Sequence, residues 1–166
     1  MTAAVAADGT FKFDKLSAGK FDLNVNLMAI TSIEARGARL AHDHLEVPSG
    51  ASVELIIHVQ SAETLASIEG FAVQAGAGVA GAMVLLIPQD LQRVRLMRRD
   101  QSDGDGSFSL ANVLPGRYTL VAIDDGHNLA YKDEKIIKPY LEGGLSITVP
   151  LRSNDALKVP VQTRRP

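Results

Sequence analysis

Cysteine and tryptophan are both missing from the 166 residues. The first absence excludes disulfide staples, thiolate zinc sites and cysteine nucleophiles, and leaves the redox compartment open. The core alone must hold the fold. The second absence, with only 3 tyrosines and 5 phenylalanines, leaves few aromatic platforms of the kind that stack on sugar rings. Neither sign of charge is in excess: 17 basic side chains face 19 acidic ones, for a formal net charge of −2. No global field would therefore draw the chain to nucleic acid or to an anionic membrane. No apolar run reaches the roughly 18 residues of a membrane span. The opening MTAAVAADGT has neither the basic nor the apolar region of a signal peptide, so export, if it occurs, is specified elsewhere.

What is present is ample core material, 46% hydrophobic residues, in a length that suits one large domain or two small ones. The sequence also repeats itself. DGTFKFDKLSAGKFDLNV (8–25) and DGSFSLANVLPGRYTLVA (105–122) superimpose without a gap at an offset of about 97 residues. Asp8 falls on Asp105, Gly9 on Gly106, Phe11 on Phe108, Gly19 on Gly116 and Leu23 on Leu120. Each copy reads as a hairpin: an Asp-Gly turn, a short strand (Phe11 to Phe13, Phe108 to Leu110), a glycine break and a second strand. In that second strand Phe21, Leu23, Val25 and Leu27 alternate with Asp22, Asn24 and Asn26, the pattern of a half-buried antiparallel strand.

The period of two continues along the chain. Val53, Leu55, Ile57 and Val59 alternate with polar neighbours, as do Leu145, Ile147, Val149 and Leu151. Further strands are expected at 31–36, 65–74, 82–88, 94–99 and 159–163, separated by Gly, Pro, Asp and Ser clusters. One helix is expected within Lys132 to Leu141, ended by Pro139. The fold class is all-β, a Greek-key-type antiparallel β-sandwich. Residues 62–166 can form one complete sandwich domain. Residues 1–60 supply only the later strands of the same fold, an N-terminally truncated partial copy whose apolar face and free edge need cover. The expectation is that the chain is the C-terminal part of a longer protein whose upstream strands complete the first domain, or that a partner chain does so.

The sequence SIEGFAV (67–73), then VAGAMVLLIP (79–88), then DGDGSFSLANVLPGRYTLVA (103–122), then a closing strand, resembles the carboxypeptidase regulatory-like domain. The resemblance covers 62–151, and 8–59 looks like the second half of another tandem copy. The chain departs from the family pattern at the glycine-rich 74–78 and at Ala18, where the second copy has Pro115. The resemblance implies a transthyretin-like (prealbumin-like) β-sandwich, related in shape to starch-binding and other carbohydrate-binding-like folds. It also implies a noncatalytic module beside larger domains, in a cell-envelope or secreted setting. Fold alone does not fix function.

Candidate chemistry is sparse. His42 and His44 in HDH would share a strand face and could hold a metal with Asp43 or Glu46, but a third ligand is not evident, and the pair reads as an exposed polar strand or turn. His58 reads as a solvated sheet residue. Asp100, Asp103 and Asp105 lack the spacing of a calcium loop and read as a turn. No metal site and no cofactor is expected. Arg93, Arg95 and Arg99 would share one face of a strand, with Arg98 beside them. They could fork onto carboxylates, phosphates or acidic sugars, or be neutralised by the aspartates that follow. Tyr131 and Tyr140 are the free aromatics, open to a role as contact surface or as the closing residues of the sandwich end.

No catalytic constellation is present, neither a G-x-S-x-G elbow, a phosphate loop nor H-E-x-x-H, so an enzyme is not expected. The leading expectation is a structural spacer or protein-interaction segment, with upstream domains or another protein as partner. The alternative is a carbohydrate-binding module that contacts polysaccharide through Tyr131, Tyr140, Arg93, Arg95 and Arg99.

Overall fold

The computed structural model describes residues 2–26, 28–41, 43–150 and 156–165. It is mostly β, with antiparallel and mixed sheets and one short α-helix. The strands are β1 (Gly19–Asp22), β2 (Met28–Arg36), β3 (Arg39–Ala41), β4 (His44–Val47), β5 (Glu54–Ser61), β6 (Ala66–Gln74), β7 (Ala77–Gly78), β8 (Met83–Pro88), β9 (Arg98–Gln101), β10 (Ser107–Val113), β11 (Gly116–Ile123), β12 (Leu145–Val149) and β13 (Leu157–Gln162). The helix α1 spans Glu134–Leu141.

Strands from the second half follow one path, β10-β6-β13-β11-β8-β9, with β12 added beside β11 and β7 beside β6. Most neighbours are antiparallel, but β13 runs parallel to both, pairing Val159 with Ala72 of β6 and Ala122 of β11 with Val161. The two ends of the path meet through a side chain: Asp100 Oδ2 on β9 accepts the Ser109 N–H of β10 at 2.7 Å. Inside lies the larger core cluster, drawn from alternate residues such as Ile68, Leu86, Phe108, Leu110, Leu120 and Val159. The other face of β8 and β11 is also covered. Met83, Leu85, Ile87, Val121 and Ile123 pack under α1 through Ile137 and Tyr140, so all six residues of β8 are buried.

Helix α1 runs through Pro139 and does not stop there. The ring is exposed and only two helical residues follow it, while Asp133 Oδ1 caps the start by accepting the Lys135 N–H at 2.8 Å. Buried Ile137 and Tyr140 hold the turns on either side. The glycine-rich 74–78 forms the tight β6–β7 turn, with Ala75 and Gly76 at φ of 50° and 85°.

The first sixty residues form a three-stranded sheet, β1-β4-β3, and a separate two-stranded sheet, β2-β5. Their alternation follows the sequence: Phe21, Leu23 and Val25 are half-buried and Asp22, Asn24 and Asn26 exposed. In β5 the alternation breaks at Val59, 42% exposed, because the register slips between Ile30 and Ser32 on the facing strand and an extra residue there changes the phase. Leu27, Leu151 and His42 lie outside the described residues.

The repeat is present in the backbone as well as the letters. Asp8 Oδ1 accepts the Thr10 N–H and hydroxyl at 2.9 and 2.7 Å. Asp105 Oδ1 accepts the same two groups of Ser107 at 2.9 and 2.6 Å. Ala6 N–H to Thr10 O and Gly9 N–H to Ala6 O match Asp103 N–H to Ser107 O and Gly106 N–H to Asp103 O. Lys15 and its counterpart Asn112 are both left-handed, at φ of 60° and 57°. Pairing is repeated too: Phe21↔Leu45 and Gly19↔Val47 in β1–β4 correspond to Tyr118↔Ile147 and Gly116↔Val149 in β11–β12.

Candidate functional site

The four arginines sit on the segment between β8 and β10, and the expected strand over 94–99 is a correction. Val94–Leu96 is a single 3-10 turn and β9 begins only at Arg98. Here the backbone bonds to itself: the Leu96 N–H donates to Arg93 O and the Met97 N–H to Val94 O, at 3.0 and 3.1 Å, in place of a ladder, and the turn buries Leu96 in the main core and Met97 in the cluster under α1. The arginines consequently fan out and do not form a common face.

Arg93 Nη2 donates to Thr31 O on β2 at 2.8 Å. Arg95 grips Asp43, between β3 and β4: its backbone N–H donates to Oδ2 at 2.9 Å, its Nη2 to the Asp43 carbonyl at 2.9 Å, and its Nε lies 3.4 Å from Oδ1. Both side chains are about four-fifths buried, at 20% and 18% exposure. These bonds fasten the first sixty residues to the second half. Arg98 turns inward, donating to the carbonyls of Arg95, Met97 and Asn112. Burial lowers its pKa, and the carbonyls supply the solvation that water would give.

Arg99 alone of the four meets a predicted aromatic. Its guanidinium carbon lies 5.9 Å from the centre of the Tyr131 ring, within cation–π range, and its Nη2 donates to His127 O at 3.3 Å. His127 Nδ1 is 3.3 Å from Asp125 Oδ1, and Arg164 Nη1 is 3.8 Å from Asp125 Oδ2. Tyr131 is half-buried against the cluster under α1. Tyr140 is different. It is 1% exposed, its hydroxyl accepts the Arg165 N–H at 2.7 Å, and Arg165 lies over its ring at 5.5 Å. An aromatic so covered offers no platform to a ligand; of the five residues singled out, Tyr131 meets Arg99 at a surface, and Arg93 and Arg95 line a separate open cleft of about 310 Å³ with Thr31, Leu40 and Asp43.

The histidines are dispersed. His44 Nδ1 sits 2.6 Å from Asp22 Oδ1, across the β1–β4 ladder where the two are register partners. His58 Nε2 lies 3.4 Å from Glu34 Oε1. The pairing of His42 with His44 involves a residue outside those described. Among the described residues, no three His, Asp or Glu side chains gather as a metal site would require. The aspartates of the 100–105 loop bond to backbone: Asp100 accepts from Gln101 and Ser109, and Asp105 from Ser107.

Tyr118 shows the same inward commitment. Its hydroxyl donates to Leu114 O at 2.9 Å, and burial pushes its pKa up. The neighbouring open cleft, lined by Asp90, Arg93, Pro115, Arg117 and Tyr118 among others, therefore presents no free phenol. The Asp43–Arg95 clasp had no signal in the sequence, since neither residue type nor spacing announces a contact across 52 positions, whereas a free edge in the first sixty residues is expected and falls on β1. Among the described residues no strand pairs with that edge. No helix among the described residues is long and apolar enough to cross a membrane. Comparison with protein-family models, with characterised proteins and with solved structures gives no match.

Proposed function

We propose that this chain is a noncatalytic, tandem β-sandwich segment of the transthyretin-like, carboxypeptidase regulatory-like type. It acts as a structural spacer or protein-interaction segment of a larger envelope or secreted protein. The observation that carries the reading is the repeat with unequal burial: one copy is closed and the other, built on the same turn and ladder, is open along one edge. The closed copy is a packing unit. Its prominent polar groups, Arg95, Arg98, Tyr118 and Asp100, are spent on intramolecular bonds. A sugar-binding reading keeps one observation in its favour, the meeting of Tyr131 with Arg99, although the guanidinium occupies a face on which a sugar ring would stack.

Affinity electrophoresis of the full chain in gels cast with neutral and acidic polysaccharides separates the two. The expected outcome is unchanged mobility in every gel. Retardation that disappears in a folded Tyr131→Ala variant would overturn the spacer reading in favour of a glycan site.

A further inference from the structure

The second copy states what the first one lacks. In the second copy, β11 carries β12 on one edge and β8 on the other, with Tyr118 opposite Pro88, Leu120 opposite Leu86 and Ala122 opposite Val84. In the first copy, β1 carries β4 on the matching edge, and among the described residues nothing occupies the position of β8. Two features follow the vacancy, and a third shows that the first turn also lacks a neighbour like β7. The strand expected over Phe21 to Leu27 is cut short at Asp22, whereas β11 continues to Ile123 alongside β8. Positions that are buried in the second copy, Leu110, Val113, Leu120 and Ala122, are only half-buried as Phe13, Leu16, Leu23 and Val25. A Cβ on Gly106 would stand 2.7 Å from Gly78 Cα of β7, while a Cβ on Gly9 would meet nothing within 4 Å.

We infer that the open edge of β1 is a docking site for one extended strand of another polypeptide, entering antiparallel in the register β8 takes on β11. This deepens, and rests on, the protein-interaction reading above. The chemistry of the strand can be read from the faces it must match. Both faces of β11 are covered, and β8 is apolar throughout; on β1 and the residues after it, Asp22, Asn24 and Asn26 are exposed. The added strand therefore alternates, apolar opposite Phe21 and Leu23 and polar opposite Asp22 and Asn24, up to Val25, where the chain turns back and bridges Met28. An open cleft of about 230 Å³, lined by Leu23, Val25, Ile30, Leu96 and Leu114 among others, lies along the same residues and can take the apolar side chains. Main-chain pairing would provide affinity and the alternating side chains selectivity, as in strand addition generally.

The test uses the full chain and a fluorescent synthetic peptide, Thr-Val-Thr-Leu-Thr-Val flanked by lysines, with a control in which the central Leu is Pro. Expected are saturable anisotropy for the first peptide, affinity weaker by about tenfold or more for the proline control, and slowed amide exchange at residues 19–26 when the first peptide is bound. Leu23→Asp should weaken binding by a similar factor while leaving exchange in β11 unchanged. Equal binding of the two peptides, absence of binding, or binding without slowed exchange at 19–26 would each overturn the inference. So would protection of 19–26 before peptide is added that disappears on dilution, since a second copy of the chain would then be the occupant. Polysaccharide retardation bears on the spacer reading alone, so the two can fail separately.

Discussion

At the scale of single residues the chain carries its own controls, because the same local geometry occurs twice in different surroundings. Gly9 and Gly106 have φ of 84° and 88°, so alanine at either is strained by about 1 kcal/mol. Only Gly106 also faces backbone, Ala72 O and Gly78 Cα lying within 2.8 Å of where a Cβ would go. Gly106→Ala should therefore cost at least about twice as much as Gly9→Ala in urea unfolding. Equal costs would mean that the β7 contact does not constrain the turn. The paired aspartates give a second comparison. Asp8 is held below the usual carboxylate range chiefly by the Thr10 backbone N–H and then its hydroxyl, and Asp105 by the Ser107 hydroxyl and then its N–H. A depressed carboxylate favours the folded turn when ionised, so the contribution is present above the ordinary carboxylate pKa and is lost as pH falls through the depressed one. Carbon-detected NMR titration should show both carboxyls titrating lower than the exposed carboxyls of short model peptides. Ordinary values at both would remove the turn bonds from the account.

At the scale of elements, two contacts decide how the parts hold together. Asp43 is left-handed at φ 66°, a conformation Asn also tolerates, so Asp43→Asn keeps the turn but removes the charge and turns one of the two oxygens that face Arg95 into an NH2 donor. A loss of about 1–2 kcal/mol is expected, seen as faster proteolysis within residues 1–60 with the second half still resistant. Tyr140→Ala should behave as a core truncation, destabilising by about 3–5 kcal/mol. Near-native stability would return Tyr140 to the list of ligand-facing residues. Here the limits of the sequence are physical ones. Alternation located β5, β6, β11 and β12, and a short continuous apolar run located β8, which is buried on both faces. Local pattern failed at Val94–Leu96, where a turn bonded within itself takes the place of a ladder, and at Pro139, where burial of Ile137 and Tyr140 outweighs the missing donor. It also could not tell that Phe11 to Phe13 lack a strand partner, since a strand's pattern is written in its own residues and its partner's presence is not. Of the site residues, the meeting of Arg99 with Tyr131 depends on a loop and a helix closing over β8 and β11, which no local spacing encodes.

At the scale of the whole molecule the two halves are unequal. Among the described residues, the buried hydrophobic ones of the first sixty are Ile30, Leu45 and Val47, whereas those of the second half include every residue of β8 from Met83 to Ile87. A two-stranded sheet such as β2–β5 has little stability of its own, so the first half depends on its attachment through Arg93 and Arg95 and on whatever strand fills the edge of β1. Unfolding is accordingly expected in stages, the first half opening at lower free energy than the second. Residue-resolved hydrogen exchange of the free chain tests this most directly, by comparing amides 97 positions apart. Slow exchange is expected at Phe108, Leu110, Leu120 and Ala122 and fast exchange at Phe11, Phe13, Leu23 and Val25. Equal protection across these pairs in a monomeric chain would contradict it, because the first copy would then be closed without an added strand.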